Sequence, residues 1–111
     1  MVQQHKVSNM MKQYHVYILL CRDGSYYTGV TNNIERRIIE HDAGENPTCY
    51  TYKKRPVKLV FSEVFGDANQ AIAFEKQVKG WRRAKKEAII SGKWELLPEL
   101  SKSANGSTSS P

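Results

Sequence analysis

Residues 14–21 (YHVYILLC) constrain this chain more than any other stretch. They are aliphatic, aromatic and β-branched on both alternating faces, as a central strand of a sheet is. Asp23-Gly24 follows as a hairpin signal, and residues 26–31 make the return strand. Asn32 and Glu35 have capping-box spacing and Gly44 supplies a stop, so a helix is expected over 33–43. Residues 44–56 read as a loop and 57–65 as a third strand. Asp67 with Gln70 repeats the capping pattern and opens a helix to about residue 79. Gly80 breaks it, and a third helix is expected over 83–91, with Gly92 as its stop. The order β-β-α-β-α-α predicts an α+β fold: a small three-stranded antiparallel sheet flanked by helices.

The ends lack this patterning. Residues 1–12 are expected to be a flexible extension and 101–111 (SKSANGSTSSP) a disordered tail, which leaves 13–100 as the folding unit. Seventeen Lys and Arg against 11 Asp and Glu give a net charge of +6, which favours a polyanionic partner. The longest apolar run, 16–21, falls far short of the ~20 residues that span a bilayer, so no membrane is expected. The two cysteines, Cys21 and Cys49, make neither a disulfide framework nor a four-ligand zinc site. No charged-then-apolar leader opens the chain, so reduced thiols and a cytoplasmic location are expected.

Helix phase singles out a few polar residues. With Ile34 at 0°, Ile38 falls at about 40°, Arg37 at about 300° and His41 at about 340°. Arg37 and His41 are therefore neighbours one turn apart beside the apolar stripe, while Arg36, at about 200°, faces away. By spacing alone, Arg37 either lays its stem along the sheet and reaches solvent, or serves a site. On the next helix, with Ala71 at 0°, Glu75 falls at about 40°, within the stripe of Ala71, Phe74 and Val78. A carboxylate there is costly unless paired with a lysine or a metal. Basic residues cluster at Lys53, Lys54 and Arg55, and again at Lys76, Lys79, Arg82, Arg83, Lys85 and Lys86 around Trp81. Each run is either a solvated helix or loop face, or a surface for phosphate contact.

The segment HVYILLCRDGSYYTGVTNNIERRIIEH resembles the signature of the GIY-YIG nucleases. His15-Val16-Tyr17 stands where Gly-Ile-Tyr would be, and Tyr27-Thr28-Gly29 where Tyr-Ile-Gly would be. Arg37, His41 and Glu75 follow in the family's order. AIAFEKQVKGWRRAKKEAII is similar to the small, single-domain bacterial members. Glu87 lies in the region where some members carry an Asn.

The resemblance implies a metal-dependent endonuclease that hydrolyses DNA phosphodiesters, structure-selective or weakly sequence-selective, in repair or recombination. Glu75 would hold one Mg²⁺ or Mn²⁺ ion, which neutralises the phosphate. Arg37 would bind the pentavalent phosphate, and Tyr17, Tyr27 or His41 would take the proton from attacking water. Lys53, Lys54, Arg55, Lys79, Arg82, Arg83, Lys85 and Lys86 would bind DNA. The alternative is a nucleic-acid-binding module that keeps the fold without the chemistry.

Shared chemistry requires Tyr17 and Tyr27 on one face. A three-residue hairpin loop at 23–25, pairing Arg22 with Tyr26 and Leu19 with Gly29, meets that requirement. Glu75, Arg37, Tyr17 and Tyr27 are then expected in one concave patch, with His41 at its rim.

Overall fold

The first strand, β1 (Tyr14–Leu20), lies between β2 (Tyr26–Thr31) and β3 (Lys58–Phe65) in an antiparallel sheet ordered β2-β1-β3. Its Val16, Tyr17, Ile18 and Leu19 have no exposed surface, which explains the apolar residues on both of its faces. In this computed structural model the described residues are 12–47 and 49–100, so the expectations for the two ends lie outside them apart from Lys12. Among the described residues the helices are α1 (Ile34–Ala43), α2 (Ala68–Lys79) and α3 (Arg83–Ile90), with 3-10 turns at Tyr52–Lys54 and Trp94–Leu96 and a helical stretch over 97–100. The element order is the expected β-β-α-β-α-α. Among the described residues, no helix is long and apolar enough to cross a membrane.

The hairpin differs from expectation by one residue. Cys21 N donates to Ser25 O at 2.8 Å and Gly24 N to Cys21 O at 2.9 Å, so the loop is Arg22-Asp23-Gly24. Gly24, at φ 88°, fills the left-handed third position that closes a three-residue hairpin loop. Leu19 therefore faces Tyr27, and Tyr17 faces Gly29. The register moves by an even number of residues, which preserves side-chain parity. Tyr17 and Tyr27 accordingly share a face, with ring centroids 6.3 Å apart. The Tyr17 ring lies directly over Gly29, where a Cβ would stand 2.6 Å from Tyr17 Cζ.

The cap of α1 is likewise one residue later than expected. Thr31 Oγ1 accepts from Asn33 N at 3.1 Å, and the Asn33 side chain accepts from Arg36 N at 3.1 Å. Asn33, not Asn32, is thus the N-cap. Gly44 ends the helix in the left-handed region, φ 68°. Asp67 caps α2 as expected, accepting from Gln70 N at 2.9 Å.

The chain divides into two compact units, residues up to 77 and residues from 78 onward. The first holds the sheet, α1, the 52–54 turn and most of α2. The second holds the end of α2, α3 and the 94–96 turn. Among the described residues its buried apolar side chains are Val78, Ala88 and Ile89.

Candidate active site

Three rings from three elements meet in the first unit. β1 supplies Tyr17, β2 supplies Tyr27 and α1 supplies His41. Tyr17 Oη lies 3.1 Å from His41 Nε2. The Tyr27 and His41 rings meet edge to face, with centroids 5.1 Å apart. On its other side the imidazole reaches into the 44–57 stretch, where Thr51 Oγ1 is 2.8 Å from Nδ1 and Cys49 Sγ is 3.9 Å from it. Tyr50 stacks on Tyr27 at 6.0 Å and 20°. Its hydroxyl donates to Ser25 Oγ at 3.1 Å.

His41 therefore does not sit at a rim. It is 6% exposed and both ring nitrogens are engaged. Its helical phase places it on the apolar stripe, and the loop carrying Thr51 covers its remaining side.

Burial sets the protonation states. It pushes the Tyr17 phenol well above the ordinary tyrosine value; Tyr27 adds to this, and the Arg37 guanidinium opposes it. Tyr17 has no exposed surface. Of the three proton acceptors that the resemblance allows, Tyr17 is thus the poorest, since it keeps its proton and meets no water. Burial pushes His41 below the ordinary histidine value, and the Arg37 cation does the same against an opposing effect of Glu40. At neutral pH the ring is an uncharged imidazole.

The two adjacent arginines part as their phase predicts. Arg36 has 59% of its side chain exposed and pairs with Glu40 at 3.5 Å on the surface. Arg37 turns inward. Its Nε is closed off from solvent and lies 3.2 Å from Glu40 Oε1, off the line of a hydrogen bond. Arg37, Tyr27 and His41 line a cleft of about 380 Å³, together with Glu40, Cys49 and Tyr52. Tyr17 lies behind this wall.

Glu75 is on α2, 7% exposed, one turn after the fully buried Ala71. It is not among the residues lining the cleft. Among the described residues, no group of three or more His, Cys, Asp or Glu side chains stands ready to hold an ion. A single shielded carboxylate fits a hard cation that brings its other ligands with it as water and phosphate oxygens.

The expected DNA-binding residues fall into two kinds. Lys54 pairs with Asp23 and lies 4.9 Å over the Tyr50 ring. Arg55 Nε donates to Tyr52 O at 2.8 Å, and the guanidinium lies 4.8 Å over the Tyr52 ring and 3.5 Å from Asp42 O. Both are tied into the fold, and Lys53 alone of this trio is exposed. In the second unit Lys79, Arg82 and Arg83 are exposed and Lys85 and Lys86 half-buried. Arg83 pairs with Glu87 at 2.9 Å, and Lys85 lies 5.2 Å over Trp81.

Thr51, Cys49, Tyr50 and Glu40 complete the site, and sequence reasoning missed them. Glu40 alone left a signal, one turn after Arg36 on the same helix.

With this geometry in place, the similarities of the chain take on meaning. The GIY-YIG catalytic domain family matches residues 13–88. Over 82 residues the chain is 44% identical to a UPF0213 protein of Natronomonas pharaonis, covering 74% of this chain and 95% of that one. Over 81 residues it is 42% identical to a UPF0213 protein of Staphylococcus saprophyticus, covering 73% and 98%. The solution NMR structure of the protein EF2693 from E. faecalis is similar to it with a TM-score of 0.53 at 38% identity, covering 72% of this chain and 84% of that one. The match takes in all three strands, α1, α2 and most of α3. The chain belongs to the UPF0213 proteins and, through residues 13–88, to the GIY-YIG catalytic domain family.

Proposed function

We propose that this protein is a divalent-cation-dependent endonuclease that hydrolyses DNA phosphodiester bonds. Family membership implies a nuclease-type activity, and one observation carries the finer reading. Arg37 and Tyr27 face a common cleft, backed by a buried Tyr17–His41 hydrogen bond.

The roles follow from exposure and chemistry. Arg37 has a fixed charge and forked donors, and it binds the charge that builds on the phosphate oxygens. Tyr27 is half-buried at the cleft wall and presents the group that takes the proton from water. A phenol of pKa about 10 needs a neighbouring cation for this task, and Arg37 lines the same cleft. His41 lines the same cleft, but both its nitrogens are occupied and it acts by holding Tyr17. Glu75 would hold Mg²⁺ or Mn²⁺, and the bound ion supplies charge neutralisation at the phosphate and the leaving oxygen. In the second unit Lys79, Arg82, Arg83, Lys85 and Lys86 contact phosphates, and in the first Lys53 does.

The test is cleavage of linear, nicked, flapped and branched DNA with Mg²⁺ or Mn²⁺, with Glu75→Ala beside the wild type. Cleavage that needs the ion and is lost in Glu75→Ala is the expected outcome. Binding without cleavage on every substrate would overturn the reading and leave a module that binds nucleic acid.

A further inference from the structure

The His41 ring has a partner on each nitrogen, and those partners determine which nitrogen carries the proton. Tyr17 Oη is 3.1 Å from Nε2, and Thr51 Oγ1 is 2.8 Å from Nδ1. A neutral imidazole has one N–H and one lone pair. The Tyr17 hydroxyl has no exposed surface, and Nε2 is its hydrogen-bond partner among the described residues. A buried phenolic proton left without an acceptor is costly, so Nε2 accepts it. The lone pair is therefore on Nε2 and the N–H on Nδ1, directed at Thr51. Thr51 is 1% exposed, so its hydroxyl is held inside the protein. The Cys49 sulfur, 3.5 Å from that hydroxyl, is an acceptor for its proton. The donors thus run in one direction, from Tyr17 through His41 to Thr51 and Cys49.

We propose that Thr51 is a positioning residue whose hydroxyl oxygen holds His41 in the Nδ1–H tautomer, keeping Nε2 as the acceptor for Tyr17. In the opposite tautomer Nε2–H would point at the phenol, and the buried Tyr17 proton would lose its acceptor. Tyr17 from β1, Tyr27 from β2, Arg37 and Glu40 from α1, and Cys49 from the 44–57 stretch are the other titratable or charged groups facing the ring. Of these, only the Cys49 sulfur competes for Nδ1, from 3.9 Å. The tautomer assignment stands by itself, and its catalytic consequence rests on the nuclease reading.

Long-range proton–nitrogen correlation spectra of the metal-free, ¹⁵N-labelled protein identify the protonated ring nitrogen of His41. The expected result is Nδ1–H in the wild type and in Cys49→Ala, loss of that preference in Thr51→Val, and its return in Thr51→Ser. If Thr51→Val does not fold, Thr51→Ala carries the same comparison. A wild type protonated on Nε2, a Thr51→Val protein that keeps Nδ1–H, or a Cys49→Ala protein that loses it would each overturn the proposal. In cleavage assays Thr51→Val should lower kcat about 10- to 100-fold, the scale on which lost support for a site residue acts. KM for DNA should hardly move, and Thr51→Ser should recover most of the rate. A loss expressed in KM, or one that Thr51→Ser does not repair, would assign Thr51 to packing and overturn its positioning role. A wild type that cuts no DNA would remove the nuclease reading, while the spectra still decide the tautomer.

Discussion

Residues 53–55 and 82–86 are both dense in lysine and arginine, and the fold treats them in opposite ways. In the first, Lys54 is bridged to Asp23 at the hairpin tip, and Arg55 wraps the carbonyl end of α1. The Lys53 carbonyl also accepts from the Arg22 side chain at 3.4 Å. In the second, the pair between Arg83 and Glu87 lies on the helix surface, each side chain about half exposed, at 54% and 49%. Pairs of that kind contribute ~0–1 kcal/mol. A run of cations in a sequence therefore has no single meaning. The deciding factor is whether carbonyl and carboxylate oxygens from remote segments arrive to meet it. In the first run they do, and charge fastens the hairpin and α1 to the loop; in the second, Arg83 meets Glu87, one turn along the same helix.

The largest test applies the same contrast within one turn of α1. Arg37→Ala should lower cleavage by roughly 10²–10³-fold, as loss of a preorganised donor does, while Arg36→Ala stays near wild type. Equal losses would show that exposure does not separate the two roles. Next in size is stability. Arg55→Ala removes the bond to Tyr52 O and the contacts with the Tyr52 ring and Asp42 O. It should cost about 1–3 kcal/mol in urea unfolding, against roughly 0.5 kcal/mol or less for Arg82→Ala. A cheap Arg55→Ala would return the first run to the solvated kind.

DNA binding sharpens the other half of the comparison. Replacing Lys85 and Lys86 together with Ala should flatten the salt dependence of binding by about one to two units, equally for all sequences. Lys54→Ala should leave that slope unchanged. A flat response in the double variant and a changed one in Lys54→Ala would exchange the two assignments.

The smallest effect concerns acid. Hydrogen bonds from Lys54 and Ser25 hold the Asp23 carboxyl well below the usual carboxylate range. With the folded value depressed, the stability Asp23 lends is complete above its unfolded value near pH ~4 and is lost as pH falls further through the folded one. Asp23→Asn should make unfolding midpoints fall less steeply below that pH. Charge removal at 82–86 should not alter that limb.

What was legible followed regular structure. The double-faced apolar pattern of 14–21 placed β1 at the centre of the sheet, and helical phase separated Arg36 from Arg37 and put His41 beside it. Tyr17 and Tyr27 were placed on one face because parity survives an even shift of register. The loop itself was misplaced by one residue because Asp-Gly suits either pair of adjacent loop positions, and only the pairing of Cys21 with Ser25 decides between them. Thr51, Cys49 and Tyr50 were not legible, since the stretch that carries them has no period to project. The same stretch sank His41 deeper than its helix alone suggested, and it brought Lys54 and Arg55 to oxygens on remote segments.

The sealed position of Tyr17 also makes it a timer. Its ring lies over the Gly29 backbone, its hydroxyl is bonded to His41, and none of its surface is exposed. A phenolic proton held in this way trades with water only when the protein opens locally. Hydrogen exchange at this one hydroxyl therefore measures how often the site around it opens, whether at the hairpin or at the stretch carrying Thr51. Anything that steadies the hairpin slows that exchange, and anything that loosens it quickens the exchange well before the fold as a whole gives way.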